Sequence, residues 1–323
     1  MSRKRKWIAV DSPHEPVTRV ACRALENRLI SVWDYLPRAA KCADEDPEYV
    51  HQLRVSSRRA VAAVEMFEPY LPQRRTAWFK NQLKKVRQAA GEARDFDVLA
   101  VRLGKTLKDD ADSAARHLLD WIAKCRRDAQ PAIRKIHQRL RDRDYKRRVA
   151  KLLDKTRASR GDARAEPDFS QVARDAMRQT VDAFFAASHA NLADTAKLHL
   201  FRISGKELRY AMEIFAGAFP SSFVEQLYPQ VAELQEKLGE INDHVSALAH
   251  FQEWLPKSDC DDEQALLVRL AEAEAQMRDD RLTAFFQFWT ADRNERLRYQ
   301  FSRELGDGQI AIRPESLPVA ESG

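Results

Sequence analysis

Residues 51–72 read HQLRVSSRRAVAAVEMFEPYLP, and residues 199–220 read HLFRISGKELRYAMEIFAGAFP. The two align without a gap at an offset of 148, with His51/His199, Arg54/Arg202, Ser56/Ser204, Ala63/Ala211, Glu65/Glu213, Phe67/Phe215 and Pro72/Pro220 identical. At the same offset Gly91-Glu92-Ala93-Arg94-Asp95 falls on Gly239-Glu240-Ile241-Asn242-Asp243. A constant offset across two separate segments marks an internal repeat. Within each copy the apolar residues recur at helical spacing: Leu53, Ala60, Val64, Phe67 and Leu71, then Phe201, Leu208, Met212, Phe215 and Phe219. Each copy is therefore an amphipathic helix with one buried side.

Outward from these helices the same periodicity continues. It predicts helices at roughly 14–42, 47–70, 73–109 and 112–157, then 168–190, 194–218, 221–256 and 262–303. Pro47, Pro72, Pro167 and Pro220 punctuate the boundaries. Nine Gly in 323 residues, beside abundant Ala, Leu, Glu, Lys and Arg, favour helix over a turn-rich β fold. The fold class expected is all-α, with two similar four-helix bundles facing each other. The domain spans 10–305, with halves 10–157 and 167–305, a polar linker at 158–166, and a loose tail at 306–323.

The net charge of +6 conceals a division. Residues 1–164 hold 39 Lys+Arg against 22 Asp+Glu, and residues 165–323 hold 16 against 27. The first half is thus suited to a polyanion, and the halves also attract one another. Cys22, Cys42, Cys125 and Cys260 lie far apart without metal-ligand spacing, which fits a reducing cytoplasm. The N-terminus lacks the apolar segment of a signal peptide, and no apolar run is long enough to span a bilayer.

At 100° per residue, His51, Arg54 and Arg58 share a narrow arc, with Glu65 further along it and the core residues opposite. His199, Arg202, Lys206 and Glu213 repeat the pattern, flanked by Arg209 and Tyr210. The next helix aligns Lys80, Lys84, Arg87 and Arg94, and residues 124–164 add 16 Lys+Arg against 5 Asp+Glu. Guanidinium groups give bidentate hydrogen bonds to phosphate oxygens, and Lys adds mobile charge. A histidine among cations stays mostly neutral until an anion arrives. Stripes at i, i+3 and i+7 suit a linear anion of repeating charge. Glu65, Glu213, Asp95 and Asp243 are expected to orient these arginines.

Most charge on a helix is a solvated face, the reading assigned to Arg59, Lys85, Arg139 and Arg143. His14, His117, His137, His189, His244 and His250 have no repeat partner and read as structural or surface residues. A helical-bundle metal site needs clustered carboxylates with His. Glu48-x-x-His51 fits once, but Ala196 occupies the matching place before His199. No catalytic residue, metal or cofactor is expected. Nucleic-acid backbone binding is the main alternative, although aromatics on the basic helices read as core rather than as base-stacking platforms. A scaffold whose acidic second half docks a basic protein is a third.

The segments at 51–72, LKKVRQAAGEARDFDVLA and HLFRISGKELRYAMEIF resemble the CHAD family, the conserved histidine α-helical domain, over roughly 10–305. The resemblance implies two four-helix bundles related by a pseudo-twofold axis. It also implies a basic cavity or surface that binds inorganic polyphosphate, often on polyphosphate granules. Carried onto matching positions, the ligand residues would be His51, Arg54, Arg58, Lys84, Arg87 and Arg94, with His199, Arg202, Lys206 and Arg209 in the second half. The second half departs from the pattern. Tyr228, Ala232, Gln235 and Asn242 stand where Lys80, Lys84, Arg87 and Arg94 do, so the first half is expected to dominate.

Overall fold

A computed structural model describes residues 6–107, 113–158 and 166–306. These form α1 (Val17–Lys41), α2 (Glu48–Met66), α3 (Gln73–Thr106), α4 (Ser113–Asp142) and α5 (Tyr145–Ala158). The second half forms α6 (Phe169–Ser188), α7 (Thr195–Phe215), α8 (Tyr228–Trp254), α9 (Asp261–Phe288) and α10 (Ala291–Leu305). The described residues contain no named strand, only an isolated bridge between Pro16 and Asp168.

Starts follow local chemistry. Pro16, Pro47 and Pro72 precede α1, α2 and α3, where a missing N–H costs nothing. Asp168 accepts from the Ser170 N–H, and Asp194 accepts from the Ala196 and Lys197 N–H groups. Gly306 ends α10 at φ 78°, the left-handed position that glycine takes without strain.

Among the described residues each half has five α-helices rather than four, because the last helix expected in each is broken. The 112–157 stretch divides at Arg143-Asp144, with Asp144 at φ 50°. Aspartate tolerates this conformation better than most residues, and no Gly or Pro advertises the turn. The 262–303 stretch divides at Trp289, and Thr290 caps α10 by accepting from the Arg293 N–H. Residues 159–165 of the expected linker and 307–323 of the expected tail lie outside the described residues.

One apolar core runs through both halves, from Leu25, Leu53 and Phe79 to Phe201, Val231 and Phe301. Phe67 and Phe215, partners in the repeat, meet edge to face at 5.7 Å. Residues before position 10 also join it: Ile8 is buried, and Trp7 packs on Tyr228. A smaller core gathers the far end of α3, the start of α4, the end of α8 and the start of α9, with Leu103, Ile122, Phe251 and Leu266 at its centre.

Polar contacts lock the halves together. Arg59 gives two hydrogen bonds to Glu213, at 2.7 and 3.0 Å. Glu213 is fully buried, accepts from the Tyr228 hydroxyl at 2.8 Å, and has Arg28 at 3.9 Å. The expected roles of Arg59 and Glu213 are therefore corrected. Arg59 is no solvated charge, and Glu213 serves this lock instead of the basic stripe. Burial holds the Arg28 guanidinium down at about 10, with Glu213 acting in the opposite sense.

Candidate functional site

The stripes of α2 and α7 reach the same space. They pack on one another, and α3 and α8 pack against them, lining a partly open cavity of about 530 Å³. From α2 come His51, Arg54 and Arg58; from α7 come His199, Arg202, Lys206 and Arg209. The far part of α3 adds Arg94 and Arg102, and α8 adds Asn242, Asp243 and Ser246. Seven Lys or Arg side chains face two carboxylates, Asp95 and Asp243. The positions are set from behind: Leu53, Ala60 and Val64 of α2 are buried, as are Phe201, Leu208 and Met212 of α7.

Only part of this charge is answered within the protein. Arg54 donates to Asp95 at 2.5 Å and to the Gly91 carbonyl at 3.3 Å. Arg102 pairs with Glu274 at 3.1 Å and donates to His244 Nε2 at 2.9 Å, while His244 Nδ1 donates to Glu274 at 2.6 Å. The buried Nε–H groups of Arg202 and Arg209 find no protein acceptor. Burial, and then Arg202, Arg58, Arg54 and Arg209, pull Lys206 down to about 7. Burial followed by Arg94 lowers His51, and burial followed by Arg202 and Lys206 lowers His199.

A second cavity of about 610 Å³ adjoins the first and shares Arg54, Arg58, Asp95 and His250 with it. Arg87 lines this second space, as do Phe96 of α3, Trp121 and Cys125 of α4, and Trp254 of α8.

Of the residues expected from sequence, His51, Arg54, Arg58, Arg94, His199, Arg202, Lys206 and Arg209 line the first cavity, and Arg87 lines the second. Lys80 and Lys84 line neither. The α3 stripe is longer than the cavity: Lys80 stands about 10 Å before Arg87 along the axis. It pairs with Glu68 at 2.9 Å, and Lys84 is exposed. The cationic α4–α5 surface stays outside both cavities apart from Cys125 and Trp121 near its start.

The four departures in the second half have structural uses. Tyr228 serves the Glu213 lock, Ala232 packs on the core, and Asn242 lines the cavity. Gln235 is buried against α7, where a Cβ at Gly205 would run into its amide. Even so, four cations of the first cavity come from the first half and three from the second, a more even division than the charge of the halves.

Sequence reasoning missed Arg102, which continues the α3 stripe eight residues beyond Arg94, and that spacing was its available signal. His250, read as structural or surface, lines both cavities. The aromatic wall was missed too: the sequence reading places aromatics of the basic helices in the core and does not single out Trp121 or Trp254. Among the described residues, no three His, Cys, Asp or Glu gather closely enough to hold a metal ion, and no helix is long and apolar enough to cross a membrane.

A family model for the CHAD domain matches residues 23–252. The chain belongs to the CHAD domain family. Its CHAD region holds both stripes, both cavities' arginines and the whole of α2, α3 and α7. The CHAD domain from the plant Ricinus communis shares the fold at TM-score 0.62 and 23% identity, covering 96% of each chain. PptA from Streptomyces chartreusis does so at TM-score 0.55 and 17% identity, over 85% of this chain and 99% of that one. Uncharacterized proteins from Mycobacterium tuberculosis strains CDC 1551 / Oshkosh and ATCC 25618 / H37Rv are 28% identical over 251 residues. The match covers 74% of this chain and 45% of theirs, so this CHAD chain spans less than half the length of those relatives.

Proposed function

We propose that this CHAD chain binds inorganic polyphosphate without turning it over, holding the polymer in the cavity between α2, α3, α7 and α8. The observation that carries the reading is the imbalance of seven half-buried cations against two carboxylates in one partly open cavity. Orphaned Nε–H donors on Arg202 and Arg209, and the depressed Lys206, belong to a site that an anion completes. Phosphate oxygens would accept from those donors, and a negative ligand would restore the lysine and histidine charges. Repeating cations over two adjoining cavities match a chain of phosphates better than one small ion. The same cations repel a divalent metal, which weighs against a metal-dependent phosphohydrolase. Docking on polyphosphate granules is the cellular role this chemistry would serve.

The test is a competition titration at near-physiological salt. Labelled long-chain polyphosphate is displaced by unlabelled polyphosphate, single-stranded RNA or duplex DNA, matched in phosphate. Polyphosphate should win by a wide margin. Equal displacement by RNA or DNA would replace the reading with general nucleic-acid backbone binding.

A further inference from the structure

The two adjoining cavities differ in chemistry. The first is strongly cationic. The second is nearly balanced, with Arg54, Arg58, Arg87 and Lys257 against Glu92, Asp95 and Glu253, and it carries an aromatic wall. A bare phosphate chain has no use for that wall. Trp254 is its hub: Trp121 meets it edge-on at 3.9 Å, His250 stacks at 5.3 Å, and Phe96 lies parallel at 6.5 Å. Trp254 is buried, whereas Trp121, Phe96 and His250 are half-buried and line the open space.

A planar heteroaromatic ring is the ligand part that half-buried aromatic faces recognise. Around the wall, the Gln88 amide can donate and accept, and Glu253, although engaged by Lys257 at 2.7 Å, has a second carboxylate oxygen. Such groups can meet the edge of a base. Arg54, Arg58 and Arg87 stand in the same cavity for phosphates. Its volume, about 610 Å³, falls within the usual range for small-ligand sites.

We propose that the aromatic cavity is a nucleobase subsite, so that the protein binds nucleoside 5′-polyphosphates with the base against Trp121, Phe96 and His250 and the phosphates over Arg54, Arg58 and Arg87. The phosphate half of this assignment rests on the polyphosphate reading; the base half is independent of it. One wall serves one base. A single-stranded nucleic acid would instead use successive stacking platforms.

The experiment titrates the full chain with ATP and with inorganic tripolyphosphate, both without divalent cations, following tryptophan fluorescence and calorimetric heat. ATP should bind roughly five- to a hundredfold more tightly, the range expected from stacking one base. Trp121→Leu should erase that advantage while tripolyphosphate binding stays at the wild-type level. If Trp121→Leu loses its helical circular dichroism, Phe96→Leu is read in its place. Equal affinity for ATP and tripolyphosphate overturns the base subsite and leaves polyphosphate binding intact. Binding of neither ligand removes the phosphate reading, and the subsite with it. A short oligonucleotide that binds far above ATP at equal phosphate overturns the mononucleotide assignment in favour of a nucleic-acid strand.

Discussion

Lys206 sits among Arg54, Arg58, Arg202 and Arg209, and its charge is held on sufferance: burial and these neighbours bring it to about 7. The sign of its pH dependence follows from linkage. From about pH 7 to the ordinary lysine value of 10.5 the unfolded chain binds more protons at this position than the folded one. The stability of the unliganded protein should therefore rise with pH across that window. His51 and His199, also lowered, contribute in the same direction just below 6.5. Polyphosphate affinity should move the opposite way, falling as pH rises from about 6 to 9, because the anion favours the protonated forms. Thermal melts and binding isotherms across that range check both signs, and parallel trends would exclude Lys206 from the ligand site. Replacing Arg54, Arg58 and Arg202 together with Ala should abolish binding and preserve helical circular dichroism. Lys80→Ala with Lys84→Ala should change affinity by less than about threefold, since exposed charges outside a site act only weakly. The basic stripes were legible at this scale because helical spacing is a local property. The end of the cavity along α3 was not, since it depends on tertiary packing, and so the stripe expected from spacing runs on to Lys80 and Lys84, which line neither cavity.

Helices meet in this fold through a few buried polar anchors as well as through apolar faces. The carboxylate of Glu213 on α7 holds Arg59 on α2 and Tyr228 at the start of α8. Glu213→Ala should destabilise the protein by about 3–5 kcal/mol, the usual consequence of leaving buried partners unpaired. Chemical denaturation measures it, and a loss under about 1 kcal/mol would mean that solvent reaches the site. Most helix positions followed from periodicity and proline punctuation. The breaks at Asp144 and Trp289 did not, because neither break itself carries a glycine or proline. Arg59 was misread for a related reason. Its partner lies 154 residues away, and only tertiary packing separates a locked arginine from a solvated one. The aromatic wall draws Phe96, Trp121 and Trp254 from three helices, so no periodicity within one helix could assemble it.

Across the whole molecule, the division into a basic and an acidic half proves less informative than the cavity between them, to which both halves contribute. If several of the seven cations meet phosphates, log affinity should fall linearly with log salt at a slope of roughly −3 to −5. Titrations between low and physiological salt measure it, and a flat response would rule out a phosphate-backbone ligand. The shared core has a further consequence for covalent continuity. The segment 159–165 is the direct peptide link between the halves. The buried link is separate: Phe67 on Phe215, Arg59 on Glu213, and the Val17 and Phe169 amides bonded across to Pro167 and Glu15. A protease cut confined to 159–165 would sever the first and leave the second. The products should run as two bands in denaturing gels yet elute as one particle, a split protein whose fragments complement each other.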